Sequence, residues 1–467
     1  MDIFSFKKVY LIGIKGSGVS ALACILKNLK IDVVGSDTKE KFFTDYILEK
    51  AKIKFYEGFK KENLEKELPV SAIITSVAYL SSNIKNPEIN LAQKLNIPIL
   101  TYPQALAYIF NQSFGIAICG SHGKSSTTAI LGKIFQSVNL DPTVLVGSEV
   151  IEWKSNALVS KNFKKKIEFL RKNEKKLENI GWIRKNLKNL PIFIIEADEY
   201  RAAFLNYFPR IIIITNIDYD HPDYFKNEKD YKDIFKKFTE NLKEPRLLIA
   251  HACTSTILKH SCRMIRTKSA SEKVFPFPYP GSHWQKNLRL TYQLIKILKI
   301  SEKTFFNSIK NYQGLKRRFE IVYHKNDVYF IDDYAHHPSE ILAYFKSLRK
   351  SYPNHYIFFI FQPHTFTRTH FLFDQFVKIF QQIKKDKKTF LIIFKVFPSA
   401  REKEIILKIK KIKKDIDLAR KVKALFFDQE KELISFLKKN LKEKTIITTI
   451  GAGNIYKILS RINMDLH

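Results

Sequence analysis

Cysteine is scarce: the four residues present, Cys24, Cys119, Cys253 and Cys262, are scattered through 467 positions. That spacing offers no disulfide framework and suits a reducing compartment. Long apolar runs are missing too. Even "FLIIFKVF" is interrupted by Lys395, and nothing approaches the roughly 18 residues a membrane helix needs. The opening "MDIFSFKKVYLIGI" runs straight into a strand-like segment and a glycine turn, without the cleavage site of a secretory leader. A soluble, cytoplasmic protein with no membrane partner is expected. Acidic residues are under-represented, 46 against 80 basic ones, for a formal net charge of +34. Such a balance raises nucleic-acid binding as a function. No zinc-finger spacing or aromatic RNA-binding motif accompanies the charge, and the lysines are spread along the chain, so no specific nucleic-acid partner is expected. "HACTSTILKHSC" pairs His251 with Cys253 and His260 with Cys262, but the usual structural-zinc spacings are absent and the residues read as helix-associated.

What is present is a succession of α/β signals, in a chain too long for a single core. "KVYLIG" leads into the turn Gly13, Gly16, Gly18, then a helical run "SALACILKNL", then "DVVGSD" ending at Asp37. This is the βαβ opening of a doubly wound sheet, with an acidic group where a ribose hydroxyl would lie. A dinucleotide oxidoreductase is one reading. The glycine order "GIKGSG" departs from the dinucleotide fingerprint and still suits a nucleotide diphosphate.

The stretch "AICGSHGKSSTTAI", Ala117 to Ile130, joins a strand to a helix through a glycine turn. Backbone N–H groups there converge on one spot, and the helix dipole favours an anion at it. Lys124 would neutralise phosphate and the Ser125 hydroxyl is placed for magnesium. Ile118 stands where the full phosphate-loop pattern has its first glycine, so an ordinary strand-to-helix turn is the alternative. Further on, "IFIIEADE" and "RIIIITNIDYDH" are apolar runs ending in acidic and imidazole groups, as expected of buried parallel strands with function at their carboxyl ends. Glu196 and His221 could join Ser125 in an oxygen-and-imidazole metal site, or could be caps and turn residues. Lys161 to Lys188 form a strongly basic stretch whose spacing fits an amphipathic helix, read as a surface insertion with a solvated charged face. Strands are also expected at "DVYFIDD", "YIFFIF", "TFLIIF" and "TIITTI".

The ordered set "GSHGKSSTT", "EADEY", "TNIDYDH", "RRFE", "DDYAHHP" and "GAGN" resembles the Mur ligases, ATP-dependent amide-forming enzymes of peptidoglycan synthesis. "FQPHTFTRT" and "FPSARE" look most like the members that add the first amino acid. The resemblance implies three α/β domains: a doubly wound UDP-sugar-binding domain over 1–110, a central P-loop ATPase-like domain over 111–313 with the basic insertion at about 161–189, and a Rossmann-like closing domain over 314–467. It implies ATP and Mg2+ as cofactors, and UDP-N-acetylmuramate and L-alanine as partners, joined through an acyl phosphate. Gly120, Ser121, His122, Gly123, Lys124, Ser125 and Ser126 would hold ATP, with Ser125, Glu196 and His221 on the metal. His283 and Asn287 match the segment reaching the adenine nucleotide. Arg318 matches an arginine near the phosphates, and Asp333 an acidic group near ribose. His364 and Arg368 match positions beside the incoming amino acid, where a guanidinium fork can hold an α-carboxylate. Gly16, Ser17, Gly18 and Asp37 would meet the UDP end. Lys124, Glu196, His221, His364 and Arg368 form the implied catalytic set. Lys15 replaces a glycine common in the first turn. A recycling ligase that joins a preformed peptide, and a non-catalytic relative that binds nucleotide or nucleic acid, are the alternatives.

Overall fold

In a computed structural model of the chain, residues 3–80, 86–221, 224–255, 263–267, 274–398 and 414–464 are described. His260, Cys262 and residues 399–402 of "FPSARE" lie outside them.

The described residues form three α/β sheets. The first is built from β1 (Lys8–Ile12), β2 (Asp32–Asp37), β3 (Lys54–Glu57), β4 (Ala72–Thr75) and β5 (Ile99–Thr101), in the order β3-β2-β1-β4-β5. Every pairing is parallel. Helices therefore cross between strands and cover both faces, which is why Val9 to Ile12 are all buried rather than alternating. The strand order reverses between β1 and β4, the place where such sheets open a crevice at their carboxyl ends.

The second sheet contains β6 (Phe114–Cys119), β7 (Thr143–Val150), β8 (Ser155–Leu158), β9 (Ile192–Glu196), β10 (Ile211–Ile214), β11 (Leu247–His251) and β12 (Arg263–Thr267), ordered β12-β11-β10-β6-β9-β7-β8. Only the β7–β8 hairpin is antiparallel. Central β6 is flanked by β10 and β9, with Cys119 opposite Ile214 and Ile118 opposite Glu196. The ends of β9 and β10 are thereby brought to either side of the loop that follows β6.

The basic stretch departs from the expectation of one amphipathic helix on the surface. It forms helices Phe163–Lys172 and Ile180–Asn186 with 3-10 turns after each, and it is the connection from β8 to β9. Its apolar side is core: Phe163, Ile167, Leu170, Leu177 and Ile183 are all buried, and Phe163 meets Phe193 of β9 edge to face at 5.9 Å. Lys166 is drawn inward as well, its ammonium donating to the Leu140 carbonyl at 2.8 Å. A connection over a sheet face must hide that face, so, Lys166 apart, its lysines lie on the outer side.

The third sheet has β13 (Glu320–Lys325), β14 (Val328–Asp333), β15 (Tyr356–Phe361), β16 (Thr389–Phe394), β17 (Leu425–Phe427) and β18 (Thr445–Ile450), ordered β13-β14-β18-β15-β16-β17. Only β13–β14 is antiparallel. Period-two alternation divides its core: Phe359 and Phe361 pack with Leu348, Phe376 and Phe380, whereas Phe358 and Ile360 pack with Leu433, Leu437 and Leu459 on the other face.

The first two sheets belong to one compact unit, residues 1–219, 228–278 and 286–315; the third belongs to a second, residues 220–227, 279–285 and 316–467. No helix among the described residues is long and apolar enough to cross a membrane.

Candidate active site

The turn after β1 is tied to β2 by the Gly13 N–H, which donates to the Ser36 carbonyl at 2.9 Å. Gly16 caps the helix Ser17–Asn28, so Ser17 and Gly18 form its first turn. Asp37 closes β2, and its carboxylate accepts the Lys15 backbone N–H at 2.6 Å; burial pushes its carboxyl up. Lys15, noted above only as a replacement, is the organiser here. Its ammonium sits 3.0 Å from Asp45 and donates to the carbonyls of Thr38 and Glu40 at 3.0 Å each. The segment after Asp37 is thus fastened to the glycine turn.

After β6 the chain turns through Gly120 to Gly123 into the helix Lys124–Ser137. Gly120 has φ +127°, and a Cβ there would lie 2.3 Å from Thr215 Oγ1; Gly123 has φ +80°, and a Cβ would lie 2.8 Å from Asn287 Oδ1. Only glycine lets these side chains come so close to the loop backbone in that conformation. The segment after β10 braces the loop. Asn216 accepts the His122 N–H at 2.9 Å, Thr215 Oγ1 donates to the His122 carbonyl at 2.5 Å, and Ser121 Oγ donates to the Asp218 carbonyl at 2.5 Å. Ser126 is buried in the helix's first turn.

Lys124 opens that helix and folds back, donating to the Gly120 carbonyl at 2.6 Å and to Glu199 at 2.8 Å. Burial works against its charge, but Glu199, Asp198 and Glu196 win and hold the ammonium above its usual pKa. Ser125 Oγ donates to Glu196 Oε1 at 2.9 Å, and Glu196 Oε2 accepts the Gly147 N–H at 2.7 Å. A hydroxyl and a carboxylate in contact, beside an ammonium and a helix N-terminus, form a donor set suited to a hard cation and an anion together. Glu199, Thr215 and Asn216 were not singled out in the sequence, although each lies inside a quoted motif. Which carboxylate of "EADEY" turns toward the lysine depends on the chain's path after β9.

In the second unit, His221 has φ +58°, and its N–H donates to Asp220 Oδ1 at 2.7 Å. Arg368 lies in the short helix Phe366–Phe371, capped by Thr365. Its Nε and Nη2 approach Asp220 Oδ1 at 3.4 and 3.3 Å, and its Nη1 lies 3.4 Å from His364 Nδ1. His364 stacks on Phe397. Burial opposes ionisation of Asp220, yet the Arg368 guanidinium holds its carboxyl well below the usual range. Burial and then the Arg368 charge push His336 down to about 3, leaving it neutral.

Asp333 ends β14 and accepts backbone N–H groups from Phe319 and Ala335, both at 2.8 Å; burial pushes it up to about 6. Arg318 lies 3.8 Å from Glu340 and over the Tyr334 ring. The residues singled out thus gather locally. Gly120 to Ser126, Glu196 and Asn287 come together in the first unit, Gly16, Ser17, Gly18 and Asp37 at its first turn; His221, His364 and Arg368 in the second, where Arg318 and Asp333 also lie. His283 is beside Trp284 in the second unit, although Asn287 on the same helix belongs to the first. Of the zinc-like pairs, His251 is buried at the end of β11, and burial lowers its pKa to about 4.

Comparison with known proteins gives a consistent family. Residues 8–114 match the model "Mur ligase family, catalytic domain", residues 118–310 "Mur ligase middle domain", and residues 317–453 "Mur ligase, glutamate ligase domain". The UDP-N-acetylmuramate–L-alanine ligase of Borreliella burgdorferi is 32% identical, with 97% of this chain and 98% of that protein covered. That of Desulfitobacterium hafniense is 30% identical over 96% and 98%. Among solved structures, UDP-N-acetylmuramate-alanine ligase from Thermotoga maritima has the same fold, with TM-score 0.74 at 21% identity and 98% and 99% of the chains covered. A murein peptide ligase from Psychrobacter arcticus follows at TM-score 0.69, 18% identity and 98% of each chain.

Proposed function

The chain belongs to the Mur ligase family, and from that premise we propose that it joins L-alanine to UDP-N-acetylmuramate in an ATP-dependent step of cytoplasmic peptidoglycan precursor synthesis. The observation that carries the substrates is the similarity, over nearly the full length, to relatives bearing that activity in their names.

A free carboxylate is a poor electrophile and must be activated before an amine attacks it. When bound, ATP supplies the phosphoryl group that converts the muramoyl carboxylate to an acyl phosphate. The residues of the loop from Gly120 to Ser126 are assigned to its phosphates. They fit: the backbone turn is held open by two glycines, and the Lys124 ammonium is at hand. Lys124 neutralises charge on the phosphates as they separate, an effect of position and electrostatics rather than of covalent chemistry. Ser125 and Glu196 supply the oxygen donors that Mg2+ takes, and a bound ion would screen the phosphate oxygens. His221 is assigned to the same ion by family resemblance alone. Asn287 and His283 are assigned to the adenine nucleotide, Arg318 to the phosphates, Asp333 to ribose, and Gly16, Ser17, Gly18 and Asp37 to the UDP end. Arg368, with His364, holds the amino acid by its carboxylate.

The test is phosphate release from ATP with saturating UDP-N-acetylmuramate and, in turn, L-alanine, glycine, L-serine or a murein tripeptide. L-alanine should give the highest rate. A clear tripeptide preference would overturn the alanine assignment in favour of the recycling ligase, and no release with any amine would favour a binding protein.

A further inference from the structure

Resting on the assignment of Arg368 to the amino-acid carboxylate, we infer that Asp220 is the other half of a zwitterion pocket: Arg368 receives the α-carboxylate and Asp220 Oδ2 receives the α-ammonium.

An amino acid arrives at neutral pH with both charges, and a buried site for it needs a partner for each. Asp220 and Arg368 are 3% and 8% exposed. Had they been a structural ion pair alone, the favoured arrangement would be two parallel bonds, one to each carboxylate oxygen. The observed contact is different. Arg368 Nε and Nη2 both approach Oδ1, at 3.4 and 3.3 Å, and Oδ1 also accepts the His221 N–H at 2.7 Å. Oδ2 has no hydrogen bond among the described residues, and His221 Nε2 lies 3.9 Å from it. On Arg368, Nη1 meets His364 Nδ1 alone among the described residues, at 3.4 Å. A loosely held pair therefore keeps one acceptor and several donors in reserve, side by side. An amine without a carboxylate fills half of that set. So does a carboxylate without an amine, and a peptide's α-amino group has no free carboxylate beside it. Asp220 is in this account a specificity-determining residue that favours a single free amino acid.

Phosphate release at saturating ATP and UDP-N-acetylmuramate tests this, with L-alanine as substrate and propanoate, the carboxylate alone, as inhibitor. Asp220→Asn should raise the KM for L-alanine about 10- to 100-fold, the size expected for losing a charge-assisted hydrogen bond, and should make propanoate a stronger inhibitor because the facing anion is gone. A KM for L-alanine that is unchanged or lower would overturn the inference and mark Asp220 as a stand-in displaced by substrate. A shift in magnesium half-saturation without a shift in KM for L-alanine would overturn it in favour of a role in holding His221. Arg368→Lys separates the two assignments: if it alters neither L-alanine KM nor propanoate inhibition, the Arg368 assignment itself fails. Should Asp220→Asn not fold, the unmutated enzyme decides. There propanoate and L-alaninamide should each bind about 10- to 100-fold more weakly than L-alanine, and propanoate binding equal to that of L-alanine would overturn the pocket.

Discussion

Replacing Lys124 should abolish ligation and also weaken the fold, and the second effect comes from its partner. The Glu199 side chain is 0% exposed and pairs with the Lys124 ammonium at 2.8 Å. Tyr231 donates to it as well, at 3.2 Å, so Lys124→Ala keeps a hydrogen bond to the carboxylate while removing its cation. Taking one member from a buried ion pair costs about 3–5 kcal/mol; the retained tyrosine puts the expected loss near the lower end, about 3 kcal/mol. Loss of charge on the phosphates should separately reduce turnover by about 10²–10³-fold or more. The two losses part in the double variant. Glu199→Gln in the Lys124→Ala background removes the carboxylate charge that Lys124 had balanced, so it should recover most of the stability and none of the activity. The assays are urea unfolding followed by circular dichroism, and phosphate release. If Lys124→Ala were as stable as the unmutated protein, or if adding Glu199→Gln gave no recovery, the buried-pair reasoning would be wrong. Near-normal turnover in Lys124→Ala would remove the loop from the chemistry altogether.

Glu196→Gln should raise the magnesium concentration for half-maximal rate by about 10-fold or more, because it replaces an anionic oxygen with an amide; an unchanged magnesium dependence would sink the metal assignment. Asp333 offers a pH test. Its folded pKa of about 6 lies above its ordinary 3.8, so the folded state binds the extra proton between those values and stability falls as pH rises through them. The shift corresponds to about 3 kcal/mol. Asp333→Asn should match the unmutated protein below pH 4 and be the more stable of the two above pH 7, and a difference that does not vary with pH refutes the buried-carboxyl account. Deleting residues 161–188 should abolish cooperative folding, since Phe163, Ile167, Leu170, Leu177 and Ile183 are core. Exchanging exposed Lys164, Lys165 and Lys172 for Gln should leave the melting temperature within a degree or two and reduce salt-sensitive binding of non-specific DNA; a soluble, active deletion variant would show the segment to be an ornament.

Much of this molecule is written in local pattern. Apolar runs such as "IFIIE" and "YIFFIF" read as buried strands, and a glycine turn joining strand to helix offers an anion site as one of its readings. The loop residues Gly120, Gly123, Lys124 and Ser125 are close in sequence, so their grouping needed no tertiary information. Glu196 could be suspected because it ends a buried strand, but its contact with Ser125 follows from the order β10-β6-β9, which no local pattern states.

The choice among neighbouring carboxylates was not local at all. Glu199 rather than Asp198 bonds to Lys124, and Asp220 meets Arg368 from 148 positions away, because those pairings depend on where the chain bends after each strand. The basic stretch makes the same point from the other side. Its composition determined that a solvated face would exist, whereas only the packed structure decided that its opposite face would close the central core. Composition and spacing fix the chemistry a segment can offer and the periodicity it can adopt; which groups share a buried site is decided when distant strands pair, since desolvation and contact arise only then.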